Sequence, residues 1–269
     1  MISTTKLTKF KQTFIKILKT IAAIVFWILV WEAASRFMSR NNELVLLILP
    51  SPKTVFLKWL DIAFTGPYIK AVLFSVLRII VGFSLGVIIG FALGVFTHSV
   101  SVADTVLSPL IKVIRAVPVV AISILLFLFF SNDVLPIWIV CLMVTPLIWQ
   151  SVHDSLSSPD VSLMEMARMF HLTKPQVFFN IKLPMMIPSL MSTAVSSLGL
   201  AWKSGLAAEV ICLPDISLGT KLWQSKGNVE FDEVYAVTLT VVILSLIIEM
   251  LFKALYRRLL LKNGGSSDD

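Results

Sequence analysis

The chain has 269 residues, of which 57% are hydrophobic and only 14% charged, and its mean hydropathy is +0.89; soluble domains carry roughly a quarter charged residues. That balance excludes a soluble globular protein and fits an integral membrane protein built from helices. The formal charge of +7 does not argue for nucleic acid. Its lysines and arginines gather at the ends of apolar runs, as the positive-inside rule requires, and no stacking aromatics are interleaved among them.

Residues 1–19 carry Lys6, Lys9, Lys11, Lys16 and Lys19 with no acid among them, and read as a basic cytoplasmic N-terminus. The apolar run Ile21 to Trp31, followed by Glu32-Ala-Ala-Ser35, has the form of a secretory signal. However, the run continues through Phe37 and Met38, and later spans need a first crossing, so an uncleaved span over about 20–38 is expected. One transmembrane domain then covers 20–257. Between Ser39 and Tyr68 the chain leaves the membrane. There Ser51 can cap and Pro52 open an amphipathic helix lying on the interface, with Val55, Phe56, Trp59, Leu60 and Ala63 on one side.

A second span over 69–97 carries Gly82, Gly86, Gly90 and Gly94, four apart along one ridge. Such spacing lets another helix backbone approach closely, either as fixed packing or as a sliding surface. The third span, 102–130, is interrupted by Pro109 and Pro118, and the fourth, 135–151, contains Pro136 and Pro146; kinks of this kind border cavities. The fifth, 185–208, holds Trp202 and Gly205 beside Lys203. Residues 209–233 return to water, and the sixth span, 234–255, is closed by Lys253, Arg257, Arg258 and Lys262. Residues 258–269 form a cytoplasmic tail, disordered after Asn263 where only Gly, Ser and Asp follow.

The interval 158–184 is too long for a helical hairpin turn, which needs about two to eight residues. Ser162-x-x-Glu165 has the capping-box form, so a short helix starts there or one turn earlier at Asp160. Leu163, Met164, Ala167 and Phe170 make its apolar stripe, with Glu165 and Arg168 outside it. Thr173-x-x-Gln176 repeats the box with Pro175 in the first turn, and Pro184 is expected to end the second helix. With the N-terminus inside, the basic residues of the N-terminus, of this interval and of the C-terminus outnumber Arg36, Arg40, Lys53, Lys58, Lys70, Lys221 and Lys226 on the outer segments. The interval therefore faces the cytoplasm.

Glu165-Met-Ala167, His171 and Ile181-Lys-Leu183-Pro184 resemble the EAA motif, E-A-A-x3-G-x9-I-x-L-P, of permease subunits of binding-protein-dependent ABC importers. Met166 replaces one alanine and His171 stands at the glycine. Leu49-Pro-Ser-Pro52, Ser75-x-x-Arg78-x-x-x-Gly82-Phe83, Arg115-Ala-Val-Pro118, Leu198-Gly-Leu-Ala-Trp202 and Ala207-Ala-Glu209 follow the order seen in the nitrate/sulfonate/taurine importer family, so the likeness covers roughly residues 49–255. It implies an all-α type I importer permease fold of about six spans in a bacterial inner membrane, with both termini cytoplasmic. It also implies a second permease copy, a substrate-binding protein on the outer face, and ABC ATPase subunits that bind ATP and Mg, leaving this chain without a cofactor. The ATPases would dock on Glu165, Ala167, Arg168, Phe170, His171, Ile181, Leu183 and Pro184. The solute implied is a small anion such as nitrate, a sulfonate or taurine, or a vitamin precursor.

The chain has no H-E-x-x-H, no G-x-S-x-G, no P-loop and no cysteine–histidine cluster, so a transport subunit rather than an enzyme is expected. A stand-alone secondary transporter or channel is the alternative, and it would need a coupling acid or a polar midplane site. Candidates for the translocation pathway are Arg78, Pro118, Trp202, Lys203 and Glu209. Arg78 and Glu209 can meet at similar depth, as a structural ion pair or as part of the path. Lys203 either attracts an anion, or snorkels to the interface or pairs with an acid.

Overall fold

A computed structural model describes residues 2–40, 48–158 and 160–264, except the side chains of 2–14, 16–17, 255–257 and 259–264. The basic side chains Lys6, Lys9, Lys11, Lys16, Arg257 and Lys262, and the tail beyond Gly264, lie outside what it describes. Among the described residues every regular element is helical. Five helices are long and apolar enough to cross a membrane, or six if a bent pair is one span. The chain divides into two compact units, Met1–Thr65 with Gln224–Leu239 and Gly66–Trp223 with Thr240–Asp269.

In the first unit, α1 (Ile2–Ser39) presents Ile24, Phe26, Trp27 and Leu29 outward, as a helix solvated by lipid does. Ser35 donates to the Leu49 carbonyl at 2.9 Å. The helix α2 (Pro52–Ala63) starts as its sequence requires: Ser51 Oγ accepts the Thr54 amide at 3.2 Å and Pro52 fills the first position. Of its expected apolar side, Val55 is buried while Phe56 is exposed. Lys58 Nζ lies 3.7 Å from Glu233 Oε2, and Trp31 packs on Tyr235 at 5.7 Å.

In the second unit, α3 (Gly66–Ser99) lies along α6 (Leu135–Ser157). The four-residue glycine ridge meets a matching ridge of Val140, Val144, Ile148 and Val152, all buried, the geometry of i±4n rows interlocking. A Cβ on Gly82 would lie 2.5 Å from the Ile137 carbonyl, on Gly86 2.8 Å from Val144 Cβ, on Gly90 2.7 Å from the Thr145 carbonyl and on Gly94 2.6 Å from Val152 Cγ1. No side chain fits at any of the four. Trp149 Nε1 donates to Thr97 Oγ1 at 2.9 Å and closes the far end of the seam. Gly86→Leu should therefore force the two helices apart at a cost of about 3 kcal/mol or more, since overpacking against backbone has no rotamer escape. Thermal unfolding in detergent would read it; an unchanged midpoint would contradict this packing.

The two prolines of the third span behave differently. Pro109 sits inside α4 (Ser101–Ala116) without ending it, whereas Val117 is extended (φ −76°, ψ 132°) ahead of Pro118. There α5 (Val119–Leu126) leaves at a bend of 106°. The steric push of a proline on its predecessor is what turns this corner. Beyond it, Val119, Leu126 and Phe130 pack on the core of Leu135, Ile139, Ala208 and Cys212.

After α7 (Val161–Met169) comes the short α8 (Lys174–Val177), a π-turn Phe178–Lys182 and α9 (Leu183–Cys212). These last three form one helical run from Lys174 to Cys212, so Pro184 does not end a helix as its sequence suggests. Leu183 N–H bonds the Phe178 carbonyl, five residues back, and this widened turn admits the proline ring at the start of α9 rather than against a carbonyl of a regular helix. The run ends at Leu213, which is left-handed (φ 50°, ψ 59°). Residues 209–233 are more ordered than their polarity suggests, for they contain α10 (Leu218–Gly227). The final helix, α11, spans Phe231–Gly264, and in it Glu249 and Lys253 make an i,i+4 pair at 2.5 Å.

Candidate functional site

Of the two possible starts for α7, the chain takes Asp160. Its Oδ1 accepts the Ser162 amide at 2.8 Å and hydroxyl at 2.6 Å, which leaves no Ser162–Glu165 capping box. The Ser162 hydroxyl, then its amide, hold the Asp160 carboxyl below the usual carboxylate range. With a lowered folded value, this cap stabilises α7 above the unfolded pKa and is lost as pH falls through the folded one. Protection factors of the Ser162 and Leu163 amides should drop below about pH 4 and be low at every pH in Asp160→Ala. Hydrogen exchange checks both.

At the other end, Leu172 N–H bonds the Ala167 carbonyl and His171 N–H the Arg168 carbonyl, both at 3.0 Å, while His171 has φ 50°. This is the Schellman arrangement, and it explains why the resembled motif has glycine here: the position is left-handed. Histidine fills it at a cost of about 1 kcal/mol. Gln176 Oε1 then accepts the Thr173 amide at 2.8 Å, so the second capping box forms and fixes the next turn.

Held at both ends, α7 has an inner and an outer side. Ala167 is 2% exposed and Ile181 7%; Ala167, Met164, Arg168, His171, Leu172 and Val177 surround a cavity of about 470 Å³. Leu183 is partly buried and Pro184 exposed. Phe170, expected on the inner stripe, is 73% exposed. It is the C-cap (φ −86°, ψ 6°), and leaving helical geometry there swings it off the stripe. Val161, Met166 and Met169 join it outside, with Glu165 exposed among them.

At the opposite end of the same unit, Arg78 and Glu209 do meet. Glu209 is fully buried; its Oε1 lies 3.5 Å from Arg78 Nη1. Its Oε2 accepts the Ser75 hydroxyl at 2.7 Å and the Gly219 amide at 3.2 Å. Ser75 Oγ also accepts the Leu218 amide at 2.9 Å. The guanidinium donates to the Ile216 carbonyl at 2.7 Å, the Asp133 carbonyl at 3.0 Å and Asp133 Oδ1 at 2.5 Å. Gly219 is required beside it, since a Cβ there would overlap Glu209 Cβ. One fork of donors, three of whose five N–H groups bond to protein, thus ties α3 and α9 to the loops before α6 and α10.

The other pathway candidates are not drawn into this network. Trp202 is 2% exposed, with Nε1 donating to the Val241 carbonyl at 3.2 Å. Pro118 stands exposed at the α4–α5 corner. Lys203 is exposed on a face of α9 shared with Ser192, Ser196, Gly199 and Ala207, and it has no ion-pair partner among the described residues. Sequence reasoning missed Asp133 and Ile216, whose loop placement carries no periodic signal, and the start of α10 at Leu218 and Gly219. Ser75 was legible, since i,i+3 spacing puts it on the face of Arg78.

An all-helical bundle with several membrane-crossing helices, a broken third span and a short capped helix between spans is the architecture of a multi-pass importer permease. The family described as binding-protein-dependent transport system inner membrane component matches residues 82–261, more than half of the chain, and the chain belongs to that family. It is similar to a protein described as an aliphatic sulfonates transport permease, SsuC, of Escherichia coli (strain K12), with 32% identity over 68% of this chain and 68% of that one. The SsuC of Bacillus subtilis (strain 168) is 25% identical over 61% of this chain, and the match takes in only 60% of that protein's length. Among solved structures, an amino acid ABC transporter shares the fold, with a TM-score of 0.64 at 16% identity over 74% of this chain and 96% of that one.

Proposed function

We propose that this chain forms, with a second copy, the path by which a small anion enters a bacterial cell across the inner membrane, driven by ABC ATPase subunits seated on α7. The observation that carries the proposal is the outer side of α7. Val161, Glu165, Met166, Met169 and Phe170 are exposed there on a helix fixed by Asp160 at one end and His171 at the other. An amphipathic helix so rigidly mounted, with large apolar side chains turned outward, suits insertion into a partner's groove. ATP and Mg belong to that partner, a substrate-binding protein to the opposite mouth, and both termini to the ATPase side.

Within the bundle, the exposed Lys203 face of α9 is the stretch of pathway wall suited to an anion, and a sulfonate is the solute for which the SsuC relatives are named. Trp202, Arg78 and Glu209 take structural roles. A stand-alone secondary transporter is disfavoured by Glu209: the best candidate for a coupling acid is enclosed by Ser75, Arg78 and Gly219. Proteoliposomes holding the chain, an ATPase and a binding protein should take up labelled sulfonate only with ATP. Uptake by the chain alone, without nucleotide, would overturn the proposal.

A further inference from the structure

A second cavity, of about 640 Å³, lies between the end of α3 and the corner from α7 to the π-turn. Its size is in the range of small-ligand sites, roughly 300–1,000 Å³. Val95, Met164, Leu172, Val177 and Phe178 supply an apolar wall, and Lys174, Lys182, His98 and Ser99 supply the polar groups; no acid lines it. Lys182 Nζ lies 3.1 Å from His98 Nε2. An ammonium has only donors, so the ring must accept there and be neutral, with its other nitrogen protonated toward Ser157 Oγ at 3.5 Å. The Lys182 charge is therefore positioned but not neutralised. The nearest acid on α4, Asp104, is engaged by His153 at 3.2 Å and Ser108 at 2.7 Å, and Lys174 has no ion pair among the described residues.

Two uncompensated lysines on an otherwise apolar wall, at the end of a membrane-crossing helix, ask for a ligand that is anionic at one end and hydrocarbon at the other. We propose that this cavity binds the phosphate of an anionic phospholipid, with Lys174 and Lys182 donating to its oxygens and Val95, Val177 and Phe178 against the first carbons of its chain. Basic pockets between spans hold lipid headgroups in this way. The lipid would sit between α3 and the mounting of α7 and set the stiffness of that corner, whatever solute the bundle carries.

The full-length chain, purified in neutral detergent, would be loaded with phosphatidylglycerol or phosphatidylcholine of the same acyl length, and retained lipid measured by native mass spectrometry. The wild type should retain phosphatidylglycerol in preference. The Lys174→Gln/Lys182→Gln variant should retain it roughly ten-fold less, each lysine contributing a few-fold, while Lys112→Gln, outside the cavity, should match the wild type. Lys174→Gln alone, at an exposed position, serves as the measure if the double variant unfolds earlier than the wild type. Equal retention by wild type and variants, equal retention of the two lipids, or displacement of phosphatidylglycerol by an equal concentration of inorganic phosphate would each overturn the proposal.

Discussion

Arg78→Ala should destabilise the folded chain by about 3–5 kcal/mol, because it leaves a fully buried Glu209 without its counter-charge. It also removes the donors held by the Asp133 and Ile216 carbonyls. Glu209→Gln in the same background should recover much of the loss, since a neutral amide no longer needs the guanidinium and its oxygen can still take the Ser75 hydroxyl and the Gly219 amide. Unfolding midpoints of the wild type, both single variants and the double close a thermodynamic cycle. A coupling energy of roughly 1–3 kcal/mol is expected, and simple additivity would show that the pair is not a lock. Arg78→Lys should not rescue, because an ammonium cannot reach three acceptors spread as a planar fork.

Phe170→Ala combined with Glu165→Arg should cut uptake by about thirty-fold or more while leaving the amount of folded protein in the membrane unchanged. Both side chains are exposed, so their removal costs the chain little; an interface anchor of this size is worth about 2 kcal/mol in docking. Ala167→Asp makes the contrast. Ala167 is buried, and a carboxylate there is desolvated against Met164 and Val177, so that variant should lose both uptake and thermal stability. Uptake and ATP hydrolysis in proteoliposomes separate the two cases, and wild-type uptake by the surface double variant would remove the docking role from α7.

What could be read in advance follows from how local the physics is. Spans, the caps at Ser51 and Asp160, the Thr173–Gln176 box and the glycine ridge depend on neighbours within one or two turns, so sequence carries them. The left-handed His171 was legible through the glycine of the resembled motif. Pro184 was misread because a proline's effect depends on whether the preceding turn can widen, and the π-turn at Phe178–Lys182 has no compositional mark. Phe170 was misplaced by one residue of helix length, since the stripe holds only while the backbone stays helical. The acceptors from Asp133 and Ile216 lie in loops brought to Arg78 by tertiary packing alone, and no spacing announces them.

The glycine seam between α3 and α6 packs the two helices as closely as a single beam. Where long side chains separate two rods, a load is absorbed by rotamers bending; here four successive turns of glycine main chain rest on carbonyls and on the short β-branched side chains of Val140, Val144, Ile148 and Val152, which are stiff at χ1. With α6 at 23 residues, about 35 Å long, a displacement imposed beside Ser157, just ahead of the α7 cap, would be carried along the seam toward Leu135. At that end stand Asp133 and the clamp on Arg78, so leverage applied at one mouth of the bundle would be borne by the latch at the other.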